Sequence, residues 1–239
     1  MSSPKIIPYC WFGDGPISPE SRKCMESWKK YCPDYKIMAW NEQNFDISAN
    51  RYAQQAYAAK KYAFVSDYAR LAVLYEYGGI YLDTDVELVR PLDELLEHKG
   101  FIGMEHSMPT PYGRPLLVNT GSGVGAEPGC GMIGKMLASY RNAAFIQETG
   151  EPDLRTCTQR DTPLFTKAGL QQKNEQQELD GFLVLPTDCF SPFDYVTERM
   201  HRTPRTFGIH YYQGSWQSGD KANRWRKRFK CTKVGRWCM

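Results

Sequence analysis

Gly78-Gly79-Ile80-Tyr81-Leu82-Asp83-Thr84-Asp85, preceded by Ser66-Asp67-Tyr68-Ala69-Arg70, is the stretch on which the reading of this chain turns. Ahead of it the pattern is helical from Arg51 to Tyr77: Val65, Ala69, Ala72 and Val73 recur at helical spacing, with Leu71 and Leu74 beside them. The two glycines predict a helix stop, since glycine accepts the left-handed conformation at a helix end. Ile80 to Leu82, apolar on both faces, then reads as a central strand. On an extended backbone Asp83 and Asp85 project to the same side, about 6 to 7 Å apart. A buried carboxylate without a partner is costly, and a hard divalent cation suits two of them. The pattern therefore points to a Mg²⁺ or Mn²⁺ site at a strand end, where α/β folds hold their ligands.

Outward from this stretch, Lys5 to Phe12 is an apolar, aromatic run ended by Gly13-Asp14-Gly15-Pro16, which predicts a first strand and a turn. Ser18-Pro19-Glu20 has the signature of a helix start, and Tyr35 to Trp40 reads as a second strand. This β-α-β opening predicts an α/β fold with a mostly parallel central sheet flanked by helices. Downstream, Phe101 to Met104, Leu116 to Asn119, Phe182 to Pro186 and Phe207 to Tyr212 are further strand candidates. Gly121-Ser122-Gly123-Val124-Gly125 and Gly129-Cys130-Gly131 lack phosphate-loop spacing and a following Lys. They predict a backbone-exposing loop, with acceptor contact as an option, before a helix through Leu137. Asp153 to Gln177 reads as loop plus helix.

With 239 residues, 41% of them hydrophobic, and a net charge of +3, the chain reads as one folded domain over residues 1–239 and not as a disordered one. No run reaches the roughly eighteen apolar residues of a spanning helix. Met1-Ser2-Ser3-Pro4-Lys5 lacks the basic and apolar regions of a signal peptide, so the expectation is cytoplasmic. The eight cysteines contain no Cys-x-x-Cys pair and read as free thiols in a reducing compartment, a Cys231–Cys238 bridge being the alternative.

Asp67 and Arg70 are three apart on the predicted helix and share a face. A surface ion pair is the plain explanation; the other is a functional pair, because the apolar helix feeds straight into the Asp83/Asp85 strand. There the guanidinium can neutralise phosphate and the carboxylate can accept hydroxyl protons. An apolar strand ending in Asp-x-Asp also resembles the nucleophile motif of haloacid-dehalogenase-type phosphatases. That motif normally opens the chain and is followed by a Lys and a later acidic cluster, and neither feature occurs here.

The longer pattern, Ser66-Asp67-x-x-Arg70 followed by Leu74-Tyr75-x-x-Gly78-Gly79-Ile80-Tyr81-Leu82-Asp83-x-Asp85, resembles the DXD-containing glycosyltransferases of family 32. Capsular-polysaccharide transferases and yeast-type mannosyltransferases belong to it, and the glucosyltransferase domains of large clostridial toxins are distantly similar. Ile6-Ile7-Pro8-Tyr9-Cys10-Trp11-Phe12-Gly13 is similar to the family's first strand, and His210-Tyr211-Tyr212-Gln213-Gly214-Ser215-Trp216 to its closing motif. Asp161-Thr162-Pro163 only approximates a Gly-Pro element of the family. The resemblance implies a GT-A-like fold and a retaining transfer, dependent on Mn²⁺ or Mg²⁺, from a nucleotide-diphosphate sugar to a glycan. A UDP-sugar is favoured, with GDP-mannose as the alternative.

By position, the resemblance implies that Trp11 stacks on the base with Tyr9 and Cys10 nearby, and that Asn41 touches the base. Ser66 and Asp67 would meet ribose or donor sugar, and Arg70 the sugar or diphosphate. Asp83 would bridge ribose and metal, Asp85 would ligate the metal directly, and Tyr81 would reach the diphosphate. His210 would bind metal or phosphate, and Ser215 and Trp216 would lie on a closing loop. Such a site offsets the charge of the departing nucleotide and excludes water.

Residues 221–239 carry eight Lys or Arg and no acid, interleaved with Trp225, Phe229 and Trp237. A solvated helix end is one reading. Nucleic-acid binding has little support, because the rest of the chain is not basic and shows no such module. Docking of this 220–239 tail on an anionic membrane surface, at the inner face of the plasma membrane, fits a lipid-linked glycan acceptor. A metal-dependent phosphohydrolase and an inactive nucleotide-sugar-binding protein are the rival functions.

Overall fold

Ile6–Cys10 forms β1 and Lys36–Trp40 forms β2, paired in parallel from Ile6 opposite Lys36 to Cys10 opposite Trp40. Between them runs α1, Pro19–Tyr31, started as its sequence predicts: Ser18 Oγ accepts the Ser21 amide at 3.0 Å and Pro19 opens the first turn. The computed structural model describes residues 3–213. Ser215, Trp216, the Cys231–Cys238 pair and the basic tail lie outside the described residues.

The single helix expected over Arg51 to Tyr77 is two helices, α2 (Arg51–Ala58) and α3 (Tyr62–Tyr77). Lys60 sits between them at φ 55°, its amide bonded to Tyr57 O at 2.9 Å and that of Lys61 to Ala56 O at 2.8 Å. These are the closing bonds of a helix C-terminus, made here around a lysine where glycine is usual. The apolar periodicity runs on through the break, which is why the sequence conceals it. The stop at Gly78 is as expected, with φ 68° at Gly78 and 99° at Gly79.

The next strands are β3 (Gly79–Tyr81), β4 (Val86–Leu88), β5 (Gly100–His106) and β6 (Leu116–Ala126). Three helices complete the set: α4 (Gly131–Ala138), α5 (Cys157–Lys167) and the short α6 (Thr187–Phe190). The later strands are β7 (Gln177–Leu179), β8 (Phe182–Leu185), the small hairpin of β9 (Phe193–Asp194) and β10 (Arg199–Met200), and β11 (Gly208–His210). The α/β class holds, but the sheet is mixed rather than mostly parallel. In the order β3-β6-β5-β8-β7, β5 and β8 pair in parallel and the other neighbours are antiparallel. The reason is connection length: only residues 107–115 join β5 to β6, too short for a parallel crossover.

The glycine-rich run Gly121 to Gly125, expected as a loop, is the middle of β6. Its glycines answer to neighbours rather than to flexibility. A Cβ on Gly123 would meet Phe190 Cδ1 at 2.6 Å, and one on Gly125 would run into the Phe101 ring.

Consecutive strand residues alternate between two cores. Ile80, Phe101 and Leu183 pack with Trp28 of α1, while Tyr81, Ile102 and Val184 pack with Phe64 and Val65 of α3, Ile133 of α4 and Phe165 of α5. The sheet is thus a central layer covered on both faces. Trp28 Nε1 donates to Val86 O at 2.7 Å and Ser27 Oγ accepts the Leu88 amide at 2.7 Å, so α1 fixes β4 directly. A Cβ on Gly79 would lie 2.6 Å from Ile6 O, which places the backbone of β1 hard against β3.

Candidate active site

Asp83 and Asp85 do not lie on an extended strand. They flank a turn between β3 and β4, closed by the Val86 amide on Asp83 O at 3.0 Å. Across from it, β11 pairs antiparallel with β4 and sets His210 opposite Val86. His210 Nε2 comes to 3.3 Å from Asp85 Oδ1. Asp85 Oδ2 accepts the Gln213 amide at 2.7 Å, and Asp85 O accepts that of Tyr211 at 3.1 Å. Ligand atoms of Asp83, Asp85 and His210 all lie within 4.8 Å of one another. This oxygen, oxygen and nitrogen set fits a hard to borderline divalent cation of the Mg²⁺ or Mn²⁺ kind. His210 Nδ1 is buried and has no hydrogen-bond partner among the described residues. Burial pulls the imidazole down, but Asp85, Asp83 and Glu105 outweigh it and raise its pKa. The Asp85 carboxyl, which burial alone would raise, is held low by His210 and the Gln213 amide.

The Asp83 side is built differently. Arg70, 3% exposed, places one guanidinium nitrogen 3.0 Å from Asp67 Oδ1 and 3.1 Å from Thr120 Oγ1, and another 3.1 Å from Asp83 Oδ1. The Tyr81 hydroxyl donates to the same Asp83 oxygen at 2.9 Å, and the guanidinium lies 4.9 Å over the Tyr81 ring. The surface ion-pair reading of Asp67 and Arg70 is therefore overturned, since both are buried. Burial raises the Asp67 carboxyl to about 6, with Arg70 pulling it back and Asp83 adding to the rise. Arg70 and Tyr81, which the resemblance directs at the donor, are turned here onto Asp83.

The other positions from the sequence fall around this centre. Cys10, at the end of β1, is buried close to Arg70, Asp83 and Tyr81, and burial pushes its thiol up to about 12. Tyr9 alternates to the other face and packs edge-on against Trp28 at 5.9 Å. Trp11 is part-exposed; its ring nitrogen donates to Gly15 O at 2.7 Å. Asn41 stabilises the turn after β2, its side chain accepting the Gln43 amide at 2.9 Å. Ser66, on α3, donates back to Tyr62 O at 3.2 Å.

Several residues of the site carry no motif. Gly121 belongs to it because its carbonyl accepts the Asp83 amide at 3.0 Å and because a Cβ there would collide with Asp83 Oδ2. Asn119 accepts the Gly121 amide at 2.7 Å and donates to the buried Glu105 at 2.6 Å. Asp161 is fully buried on α5, and neither carboxylate oxygen has a hydrogen-bond partner among the described residues. Burial and Asp67 raise its pKa to about 8, against the pull of Arg70 and Arg160. Tyr212 has φ 50° and lays its ring 4.1 Å from that of His210. The signals available were faint: alternating glycines in β6, and the Asp161-Thr162-Pro163 run that only approximates a Gly-Pro element.

Residues 18–102 match the family described as "Glycosyltransferase sugar-binding region containing DXD motif". Inositol phosphoceramide mannosyltransferase 3 of Schizosaccharomyces pombe is 31% identical over 41% of this chain and 29% of its own length. Inositol phosphoceramide mannosyltransferase 1 of the same yeast is 35% identical over 29% of this chain and 20% of its own. The chain thus spans under a third of the length of these curated relatives. Among solved structures, the PaToxG glycosyltransferase is 21% identical with a TM-score of 0.46, covering 70% of this chain and 72% of its own. The galactosyltransferase LgtC, solved with donor and acceptor sugar analogues, is 14% identical with a TM-score of 0.45, covering 93% of this chain and 94% of its own.

Proposed function

Because residues 18–102 carry the DXD-containing sugar-binding region of glycosyltransferases, we propose that this chain transfers a sugar from a nucleotide-diphosphate donor to a glycan, using a divalent cation held by Asp83, Asp85 and His210. The observation that carries the reading is the convergence of those three ligand atoms within 4.8 Å, from segments far apart in sequence. A bound Mg²⁺ or Mn²⁺ would supply positive charge to the diphosphate as it leaves. The chain's own residues do the rest. Arg70 and Tyr81 fix the orientation of Asp83, and the Gln213 amide fixes Asp85. A carboxylate oriented beforehand loses little by reorganisation when the nucleotide departs.

The family resemblance favours a UDP-sugar. GDP-mannose is the second reading, and the observation behind it is that both yeast relatives are named mannosyltransferases. Their names also make a lipid-linked acceptor the first class to try. The basic, aromatic stretch 221–239 would suit docking at an anionic membrane surface, so liposome co-sedimentation of the full chain against a truncation after Asp220 belongs to the same programme.

The decisive experiment is a thermal-shift screen of UDP- and GDP-sugars with and without Mn²⁺ or Mg²⁺, followed by donor hydrolysis. The expected result is stabilisation by metal and one nucleotide together that exceeds either alone, by RT ln(1 + [L]/Kd). Asp85→Ala should keep its fold, lose the joint shift and lose metal-dependent turnover. Retained turnover in that variant removes Asp85 from the chemistry. Phosphate release from simple phosphoesters would shift the case to a phosphohydrolase, and binding without turnover to an inert sugar-nucleotide receptor.

A further inference from the structure

Beside the metal-ligand cluster lies a cavity of about 340 Å³, at the lower end of the range of small-molecule sites. It is reached from His210 through a single side chain. The Tyr212 ring, 4.1 Å from the imidazole of His210, also forms part of the cavity wall and packs 4.9 Å from Tyr195. No sequence motif pointed to this place, because its lining comes from the end of β5, the 107–115 connection, Asn174 ahead of β7, α6, β9 and the residues on either side of β11.

The charges in the wall decide what it can hold. Arg114 meets Asp194 through both terminal guanidinium nitrogens, one pair at 2.8 Å. Arg205 meets Asp188 at 3.0 and 3.1 Å, and Asp188 also accepts from Thr203 at 2.6 Å. Each cation is thus matched by its own carboxylate. The remaining titratable groups in the wall are His106, His201, Tyr195 and Tyr212. Burial, with Arg114 and His201 nearby, holds the His106 imidazole below its ordinary pKa despite Asp194, and its Nδ1 is buried without a partner among the described residues. Such a wall offers no surplus positive charge to a phosphate. It does offer donors and acceptors side by side, which is what neighbouring sugar hydroxyls require, since each both donates and accepts. Two tyrosine rings add an apolar surface for the C–H face of a pyranose.

We propose that this cavity is the acceptor subsite: it takes a neutral pyranose of the acceptor glycan and presents its hydroxyl toward the His210 side of the site. The proposal rests on the transferase reading given above and adds to it where and by what chemistry the acceptor is held. Asp188 and Arg205 on one side, and Asp194 and Arg114 on the other, bind ring hydroxyls. His106 supplies the further donor or acceptor.

The chain has four histidines, and they report on different places: His106 and His201 on the cavity, His210 on the metal cluster, and His98 on neither. The full chain labelled with ¹⁵N-histidine is titrated into the millimolar range with methyl α-mannoside or methyl β-galactoside. Separate titrations use inorganic phosphate, and Mg²⁺ with UDP or GDP. The expected result is that a glycoside moves the His106 and His201 signals and leaves His98, while Mg²⁺ with a nucleotide moves His210. Failure of both glycosides to move His106 and His201 overturns the subsite and leaves the transferase reading standing. So does movement by phosphate alone, which would make the cavity an anion site. Silence of His210 toward both metal nucleotides overturns the transferase reading and, with it, the acceptor assignment. The Arg205 side chain is 62% exposed, so Arg205→Ala is expected to fold. It should weaken the glycoside response at least tenfold while the His210 response persists, and unchanged glycoside affinity would overturn the recognition chemistry.

Discussion

The two aspartates of the DXD motif sit two residues apart and live in different surroundings. Asp83 is fixed by the buried framework of α3 and the sheet: Arg70, Tyr81 and the backbone of Gly121 hold it, and Asp67 balances the charge of Arg70. Asp85 is held from the opposite direction by the last described strand and the residues that follow it, through His210, Tyr211 and Gln213. One carboxylate is braced by the core and the other by a segment that joins it late in the chain. The contrast separates two jobs, keeping the charge cluster folded and completing the proposed cation site. Substitutions on the two sides should fail in different ways.

The largest effect is expected at the brace. Arg70→Met removes the cation from between Asp67 and Asp83 and should cost about 3–5 kcal/mol of stability, because breaking a buried pair strands the remaining charge. Urea denaturation monitored by circular dichroism reads this directly. A loss below about 1 kcal/mol would mean that the network behaves like a surface pair. Asp85→Ala, by contrast, should change stability far less than activity.

Gly121→Ala should come next. The added methyl meets Asp83 Oδ2 inside a packed strand, an overpacking worth about 1–3 kcal/mol. Because the colliding atom is a proposed metal ligand, Mn²⁺ affinity should fall along with stability. Normal metal binding, read by calorimetry, would show that Asp83 Oδ2 swings clear at no cost to the site.

The smallest effect is a pH slope. Asp161 holds its proton up to about 8 in the folded chain against a reference of 3.8. The folded state therefore binds more protons than the unfolded one between those values. Stability from this group is fully present at low pH and is lost as pH rises through about 8. Asp67, raised to about 6, acts with the same sign but is spent at lower pH. Asp161→Asn should thus flatten the decline in melting temperature between about pH 6 and about pH 8, the window bounded by those two values. An unchanged slope would place the responsible group elsewhere.

Local signals in the sequence determined the β-α-β opening, the stop at Gly78 and the neighbourhood of Asp67, Arg70, Asp83 and Asp85. A cap serine, a proline in the first turn, a Gly-Gly stop and short-range spacing each act over a few residues, so they are legible without the fold. The closing motif at His210 was legible only through resemblance. That its imidazole reaches Asp85 was decided by the antiparallel pairing of β11 with β4. Tertiary packing also turned the glycine run of β6 into a strand, since Phe101, Phe190 and Asp83 occupy the space a side chain would need. It buried Asp161 beside Asp67 and assembled the Arg114–Asp194 and Arg205–Asp188 cavity from segments far apart in the sequence. A sequence states which groups a chain owns and how neighbours along it are angled. Which distant groups share a low-dielectric space, and therefore which charges must compensate one another, is settled only when the chain closes on itself.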